Sequence, residues 1–350
     1  MRSIFAVSCV LALVFAAVPS TAPGGAAPAA AGQVAPGPRI GLVTQSGALA
    51  DRSFDEYAWA GVLAGARAVR GTAEVIVPPA NPDAYAWAID WFAARDFDVI
   101  VTVGFPMTDA TLTAASHYPG VQFFGIDQEL QVADPPVVAP PNYQRLVFDE
   151  AEAGYLAGVA AATMSTTRTI GAVGGMEVVP PVLRFINGYR NGAGATMPGI
   201  PVIVTYADDF GRPDLGEDAA AALITENADV IFTVAGGSNL GAFGAACEAG
   251  VWAVGVDIDA YLQAPLFGHC ILTSAEKRVA TATASAIQRF AAGGLQGGAF
   301  VNDAANQGIG LAPIRDVKPP KVLQDLLATA LVGLANGSID PCSPTACDTP

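Results

Sequence analysis

Residues 99–127 read VIVTVGFPMTDATLTAASHYPGVQFFGID. Val99–Val103 is a short apolar run dominated by β-branched residues, the pattern of a strand buried on both faces. Thr108–His117 is amphipathic at helical spacing, Gly120 marks a turn, and Gln122–Ile126 is a second apolar run that ends at Asp127. Two buried strands with a helix between them imply a parallel pair, because a parallel crossover needs a dozen or more residues.

The same alternation extends both ways. Upstream lie strands Arg39–Thr44 and Glu74–Pro78, with amphipathic stretches Ser53–Val69 and Pro82–Arg95. Downstream the pattern restarts: strands Thr169–Val173, Pro201–Tyr206, Val230–Val234 and Trp252–Val256 alternate with helices Pro181–Ala195, Asp214–Asn227 and Leu240–Ala249. Strict alternation predicts the α/β class, here as two Rossmann-like lobes, each a doubly wound parallel sheet with helices on both faces. The first lobe is expected over 39–145 and the second over 146–277. Asn142–Phe148 and the helix from Glu150 read as one crossover. A second falls near Ser274–Lys277, where a helix Glu276–Ala292 is expected to begin. The returning chain would complete the first lobe with 278–296 and the second with 297–336, leaving a Cys-containing tail at 337–350. Several shared strands make a hinge suited to clamshell closure. Trp59, Trp87 and Trp91 sit at helical positions and read as core.

The 350 residues exceed what one core usually supports and suffice for two. Arg2 followed by the apolar run Ile4–Val18 reads as a secretory signal, with small residues at Ser20-Thr21-Ala22 and Ala29-Ala30-Ala31 for cleavage. A retained anchor needs about 18 or more apolar residues, and this run is shorter and meets Pro19. Residues 1–31 are therefore expected to be removed, and Pro/Ala/Gly-rich residues 32–38 to serve as linker. The chain carries 17 basic and 32 acidic residues, net −15. That field repels phosphate backbones and anionic lipid, which argues against nucleic-acid partners and leaves membrane association to a tether or a permease. Cys9 lies inside the signal. The remaining four, Cys247, Cys270, Cys342 and Cys347, are an even set suited to disulfides in an exported chain, with three connectivities open. Cys342 and Cys347 are close enough to staple the tail, and Cys247–Cys270 would then tie a helix to a strand. The spacing does not suit zinc.

In open parallel sheets ligands bind beyond the C-terminal strand ends. Asp51, Ser53, Phe54 and Asp55 follow the first strand, Asp127 the fourth, and Phe210, Gly236, Gly237 and Asp257 the strands of the second lobe. Aromatic faces, carboxylates and glycines form a binding set for a hydroxylated ring. Read locally, Phe54 also suits a helix core, and an Asp at a strand end is often only a turn or cap.

At these edges the chain resembles the basic membrane protein (BMP) family, the PnrA-like nucleoside receptors of ABC transporters. The resemblance is an ordered series: Asp51-Arg52-Ser53-Phe54; Tyr118–Phe123 leading to Ile126-Asp127; Glu152–Gly158; Ile170–Gly175; Phe185–Tyr189; Ala228–Phe232; Gly255–Asp259; and Leu272–Arg278. It implies a periplasmic binding protein type I fold, a monomer, a nucleoside-like ligand and an ABC permease as partner, with no cofactor, no metal and no catalysis. It further implies that Phe54 and Phe210 sandwich the base, Asp127 reads its edge, Asp257 and Lys277 reach the sugar, and Gly236 and Gly237 admit close backbone approach. Asp55 stands where the family commonly has Asn, and a carboxylate there demands a donor.

Two alternatives remain open from sequence: the same fold holding a sugar or other polar solute, and a nucleoside-cleaving hydrolase. No Gly-x-Gly-x-x-Gly or phosphate loop is present, and Leu240 breaks the nucleophile-elbow pattern at Gly236-Gly237-Ser238-Asn239. Asp51, Asp127 and Asp257 come from separate edges, unlike the single acidic cluster a hydrolase metal would need.

Overall fold

The computed structural model describes residues 36–45, 49, 54–130 and 138–348. The expected signal and the part of the expected linker up to 35, with Asp51 and Ser53, lie outside the described residues. The chain begins with β1 (Arg39–Val43), α1 (Phe54–Ala68), β2 (Thr72–Ile76), α2 (Pro82–Ala93), β3 (Val99–Val103), α3 (Thr108–His117), β4 (Gln122–Ile126) and β5 (Tyr143–Phe148). It continues through α4 (Glu150–Met164), β6 (Ile170–Gly174), α5 (Pro180–Thr196), β7 (Val202–Tyr206), α6 (Pro213–Thr225), β8 (Val230–Val234), α7 (Asn239–Ala249) and β9 (Trp252–Asp257). It closes with α8 (Ala260–Gln263), β10 (Ile271–Lys277), α9 (Val279–Gly293), β11 (Gly298–Asn302), β12 (Ile309–Leu311) and α10 (Lys321–Ala335).

Two six-stranded sheets result, ordered β11-β5-β4-β3-β1-β2 and β12-β10-β9-β8-β6-β7. They are the same topology twice, parallel throughout except for the antiparallel β10–β12 pair. Burial follows position. Every residue of the central strands β3, β4, β6 and β8 is buried, whereas the edge strands β2 and β7 are half exposed. Helices on both faces supply the apolar cover that a fully buried strand demands.

The chain passes between the lobes at Phe148–Glu150, at Lys277–Val279 and between β11 and β12. Helix α4 packs on α5 and α10 of the second lobe, and α9 packs on α1 and β4 of the first. This is the expected multi-strand hinge, with different bookkeeping at its edges. From sequence, 146–277 and 297–336 belong to the second lobe, but Leu146–Phe148 and Gly298–Asn302 pair within the first sheet. Strand β11 is an edge with three of its five residues exposed, so no apolar run announces it. The helix expected from Glu276 starts instead at Val279, because ladder pairing with β9 and β12 holds Glu276 and Lys277 in strand β10. Trp59 and Trp91 pack against the core, but Trp87 is 59% exposed on α2.

Helices α4 and α5 meet through small residues. A Cβ added at Gly154 or Gly158 would stand 2.1 Å from the carbonyl oxygens of Phe185 and Tyr189. Backbone approaches backbone there, so nothing flexible can yield. Gly158→Ala is expected to destabilise by about 1–3 kcal/mol, the usual penalty of overpacking, read as an earlier denaturation midpoint with an unchanged m-value.

Two disulfides are formed, Cys247–Cys270 and Cys342–Cys347. Cys247, His269 and Cys270 place their ligand atoms within 4.8 Å of one another, but the two sulfurs are bonded to each other. Among the described residues no helix is long and apolar enough to cross a membrane.

Candidate functional site between the two sheets

Asp127 and Asp257 occupy matching places, just beyond β4 and at the end of β9, the third strands from the hinge edge of their respective sheets. Both have left-handed backbones, with φ 53° and 64°. Such a φ is uncommon outside glycine, and Asp tolerates it better than branched residues.

Lys277, the last residue of β10, lies with its side chain only 3% exposed and draws these carboxylates together. Its Nζ donates to Asp127 Oδ2 at 2.7 Å, stands 2.9 Å from Glu150 Oε1, and reaches Asp257 Oδ1 at 4.0 Å. The Phe148 and Phe185 rings flank the same ammonium at 5.6 and 5.5 Å. Lys277 ends a strand and is the cation of a buried acidic cluster. Burial alone would lower its pKa, but Asp127, Glu150 and Asp257 outweigh that and hold it above the usual lysine value.

Burial pushes the Asp127 carboxyl up to about 6 despite the opposing pull of Lys277, with Glu150 and Asp257 adding repulsion. Asp257 shifts the same way, by burial first. Glu152, which accepts the Ala304 N–H at 2.6 Å where the chain passes from β11 to β12, is pushed by burial up to about 7. A carboxyl whose folded pKa exceeds its unfolded value stabilises the fold fully below the unfolded pKa, near 4, and loses that contribution as pH rises through the folded one. Glu129 and Asp229 are lowered and lose stability only in stronger acid. The unliganded protein is therefore expected to melt a few degrees higher at pH 5 than at pH 8, measured by calorimetry. An Asp127→Asn/Glu152→Gln variant should flatten that slope.

A second group gathers beyond β6 and β8, where the strand order of the second sheet reverses. The Phe210 ring lies on Gly175, at which an added Cβ would be 2.2 Å away. Its carbonyl accepts the Gly237 N–H at 2.7 Å, and Gly236 has φ 56°. The glycines let the aromatic loop settle against the sheet edge.

Phe54 and Asp55 form a third group at the start of α1. Phe54 is half-buried against the core. Asp55 is buried, and its Oδ1 accepts the Gln45 N–H at 3.2 Å. The donor that a carboxylate needs at this position thus includes the protein's own backbone. One turn further along α1, Glu56, Tyr57 and Ala60 line a cavity of about 270 Å³ with Leu262 and Gln263 of α8, so this end of α1 faces the second lobe. Another groove of similar volume, at Arg168 and Met197–Pro201, opens at the opposite ends of β6 and β7.

Asp127, Asp257 and Lys277 are thus brought together, as are Phe210, Gly236 and Gly237. Phe54 and Asp55 sit at the head of α1. Glu150 and Arg184 belong to the cluster without having been singled out from sequence. Asp149-Glu150 and Glu152 at a helix start read as ordinary complements to the helix dipole, and Arg184 reads as one polar residue on an amphipathic helix.

A family described as the Bmp, ABC transporter substrate-binding protein, PnrA-like, matches residues 39–339. The chain belongs to that family. Among its Bmp relatives, a CD4+ T-cell-stimulating antigen of Listeria monocytogenes is 28% identical over 307 residues, 83% of each chain. The ABC transporter nucleoside-binding protein BmpA of Lactococcus lactis subsp. cremoris is 29% identical over 232 residues, covering 63% of this chain and 64% of that one. An ABC transporter solute-binding protein from Conexibacter woesei superposes with a TM-score of 0.73 at 25% identity, over 86% of this chain and 97% of the other. The Bmp chain is accordingly a solute-binding protein of an ABC transporter, with the type I binding-protein fold.

Proposed function

We propose that the protein captures a nucleoside-like ligand between its lobes and presents it to a permease without chemical turnover. The observation that carries this reading is the convergence of Asp127 from one lobe and Asp257 from the other on the single ammonium of Lys277. A carboxylate offers about four acceptor positions, so each retains capacity for ligand donors after pairing with lysine. Asp127 would read the N–H groups of a base, Asp257 and Lys277 the hydroxyls of its sugar. Phe54 and Phe210 would cover the two faces of the ring, and Gly236 and Gly237 would let backbone approach it. Asp51 and Ser53 are assigned to the same site by the family pattern alone. Asp55 would act by holding the loop at Gln45.

The excess of carboxylates over cations favours donor-rich neutral ligands over phosphorylated ones. The name of the Lactococcus relative supports the nucleoside class. No cofactor or metal enters this scheme. The protein is proposed to be exported as a monomer, held near its permease by a tether or by the permease itself.

Calorimetric titration with purine and pyrimidine nucleosides, the matching bases, ribose and hexoses tests the reading. Saturable binding of a nucleoside with no free base released on prolonged incubation is the expected result. Binding of sugars alone would move the protein to the sugar-binding class, and accumulation of free base would make it a hydrolase.

A further inference from the structure

Arg184, on α5, has each of its guanidinium nitrogens engaged by a carboxylate. Nε donates to Asp348 Oδ1 at 2.8 Å, Nη2 to Glu129 Oε2 at 3.0 Å, and Nη1 to Glu129 Oε1 at 2.5 Å and Glu150 Oε2 at 3.2 Å. These acids come from three parts of the chain. Glu129 lies two residues beyond Asp127 on the first lobe, Glu150 belongs to the Lys277 cluster, and Asp348 sits at the end of the tail.

The tail is built onto α5. Asn187 and Asn191, both buried, lie three and seven residues beyond Arg184 on one face of the helix. Asn187 Nδ2 donates to the carbonyls of Ala346 and Cys347 at 3.2 and 3.0 Å. Asn191 Nδ2 donates to those of Pro341 and Thr345, both at 2.8 Å, and its Oδ1 accepts the Thr345 N–H at 3.0 Å. The Cys342–Cys347 disulfide closes the docked loop immediately before Asp348.

We propose that this stapled tail tunes the affinity of the interlobe site, with Arg184 as the positioning residue. The guanidinium is a rigid planar fork. Anchoring Nε on Asp348 sets the plane in which the two terminal nitrogens meet Glu129 and Glu150. Glu150 in turn shares Lys277 with Asp127 and Asp257. A continuous series of charge pairs therefore runs from the tail, across the lobe junction, to the residues assigned to the ligand. Releasing the tail frees the fork to turn, loosens the Glu129 contact between lobes, and lets Glu150 compete differently for Lys277. The tail acts on how readily the lobes close; it does not touch ligand.

This inference rests on the nucleoside reading for its affinity readout, so a second readout is needed that does not. Asp348→Asn and Cys342→Ser/Cys347→Ser are compared with the unaltered protein by titration with inosine and adenosine, by small-angle scattering without ligand, and by thermal melting. Asp348 is exposed, so its replacement is expected to weaken binding only about 2–5-fold while leaving melting nearly unchanged. The double serine variant should weaken it further and enlarge the radius of gyration of the unliganded protein. Arg184→Lys should weaken binding as the tail variants do, since an ammonium lacks the fork. Unchanged affinity and unchanged scattering in both tail variants would overturn the proposal and leave the tail a simple cap on α5. If neither nucleoside binds any variant, the functional reading fails, and scattering alone decides this one: an unchanged radius of gyration overturns it and an enlarged one supports it.

Discussion

Lys277→Met is expected to destabilise the unliganded protein by about 3–5 kcal/mol at pH 8, the usual penalty for removing one partner of a buried ion pair. Methionine fills much the same volume, so the loss isolates charge from packing. It leaves Asp127 without its 2.7 Å donor and Glu150, 2% exposed, dependent on Arg184 alone. The pH dependence identifies the cause. With lysine present the Asp127 carboxyl already sits near 6, and without the cation it rises further. At pH 5 it is then neutral, and the variant should recover part of its deficit relative to pH 8. A deficit equal at both pH values would show that packing, not charge, was lost. Adding Asp127→Asn to Lys277→Met should restore stability at pH 8 as well, because it removes the carboxylate left unpaired.

Asp257→Asn is expected to act on binding and leave the fold alone. Its side chain is 35% exposed and stands 4.0 Å from Lys277, beyond hydrogen-bond range, so little structure depends on it. Asn also accepts the left-handed backbone at this position, whereas Ala there would add strain unrelated to the carboxylate. Melting without ligand should stay level or rise slightly, since one negative charge leaves an acid-rich cluster. If Asp257 accepts from a nucleoside's hydroxyls, losing a charge-assisted bond worth about 1.5–3 kcal/mol weakens affinity roughly 10–150-fold. At a concentration 100 times the original dissociation constant, the stabilisation by ligand would fall from about 2.7 kcal/mol to about 0.4 for a 100-fold weaker variant. An undiminished thermal shift would remove Asp257 from the site.

These two residues also mark how far local patterns reach. Asp127 and Asp257 can be singled out from sequence because each directly follows a run of buried strand residues, and strand ends are where open α/β sheets bind. Phe210 stood out in a polar loop. Lys277 is marked in the sequence only by the family resemblance, and Glu276 and Lys277 favour a helix that the β10 ladder overrides. Glu150 and Arg184 carried no such signal. Their residue types are ordinary on helices, and their importance comes from partners far away in the chain. Strand β11 was missed for the opposite reason: an edge strand half open to solvent lacks the apolar run that betrays a central one.

From the amino-acid order alone came the α/β class, the repetition of one sheet pattern in two lobes, and the return of the chain across a shared hinge. Those follow from hydrophobic spacing, which is a local property with periods of a few residues. Tertiary structure alone decided that Lys277 pairs with Asp127, 150 positions away, and that a tail closed by Cys342–Cys347 reaches Arg184. Such contacts arise where the C-terminal strand ends of two sheets come together. No local period encodes which charges that arrangement will bring within 3 Å of each other.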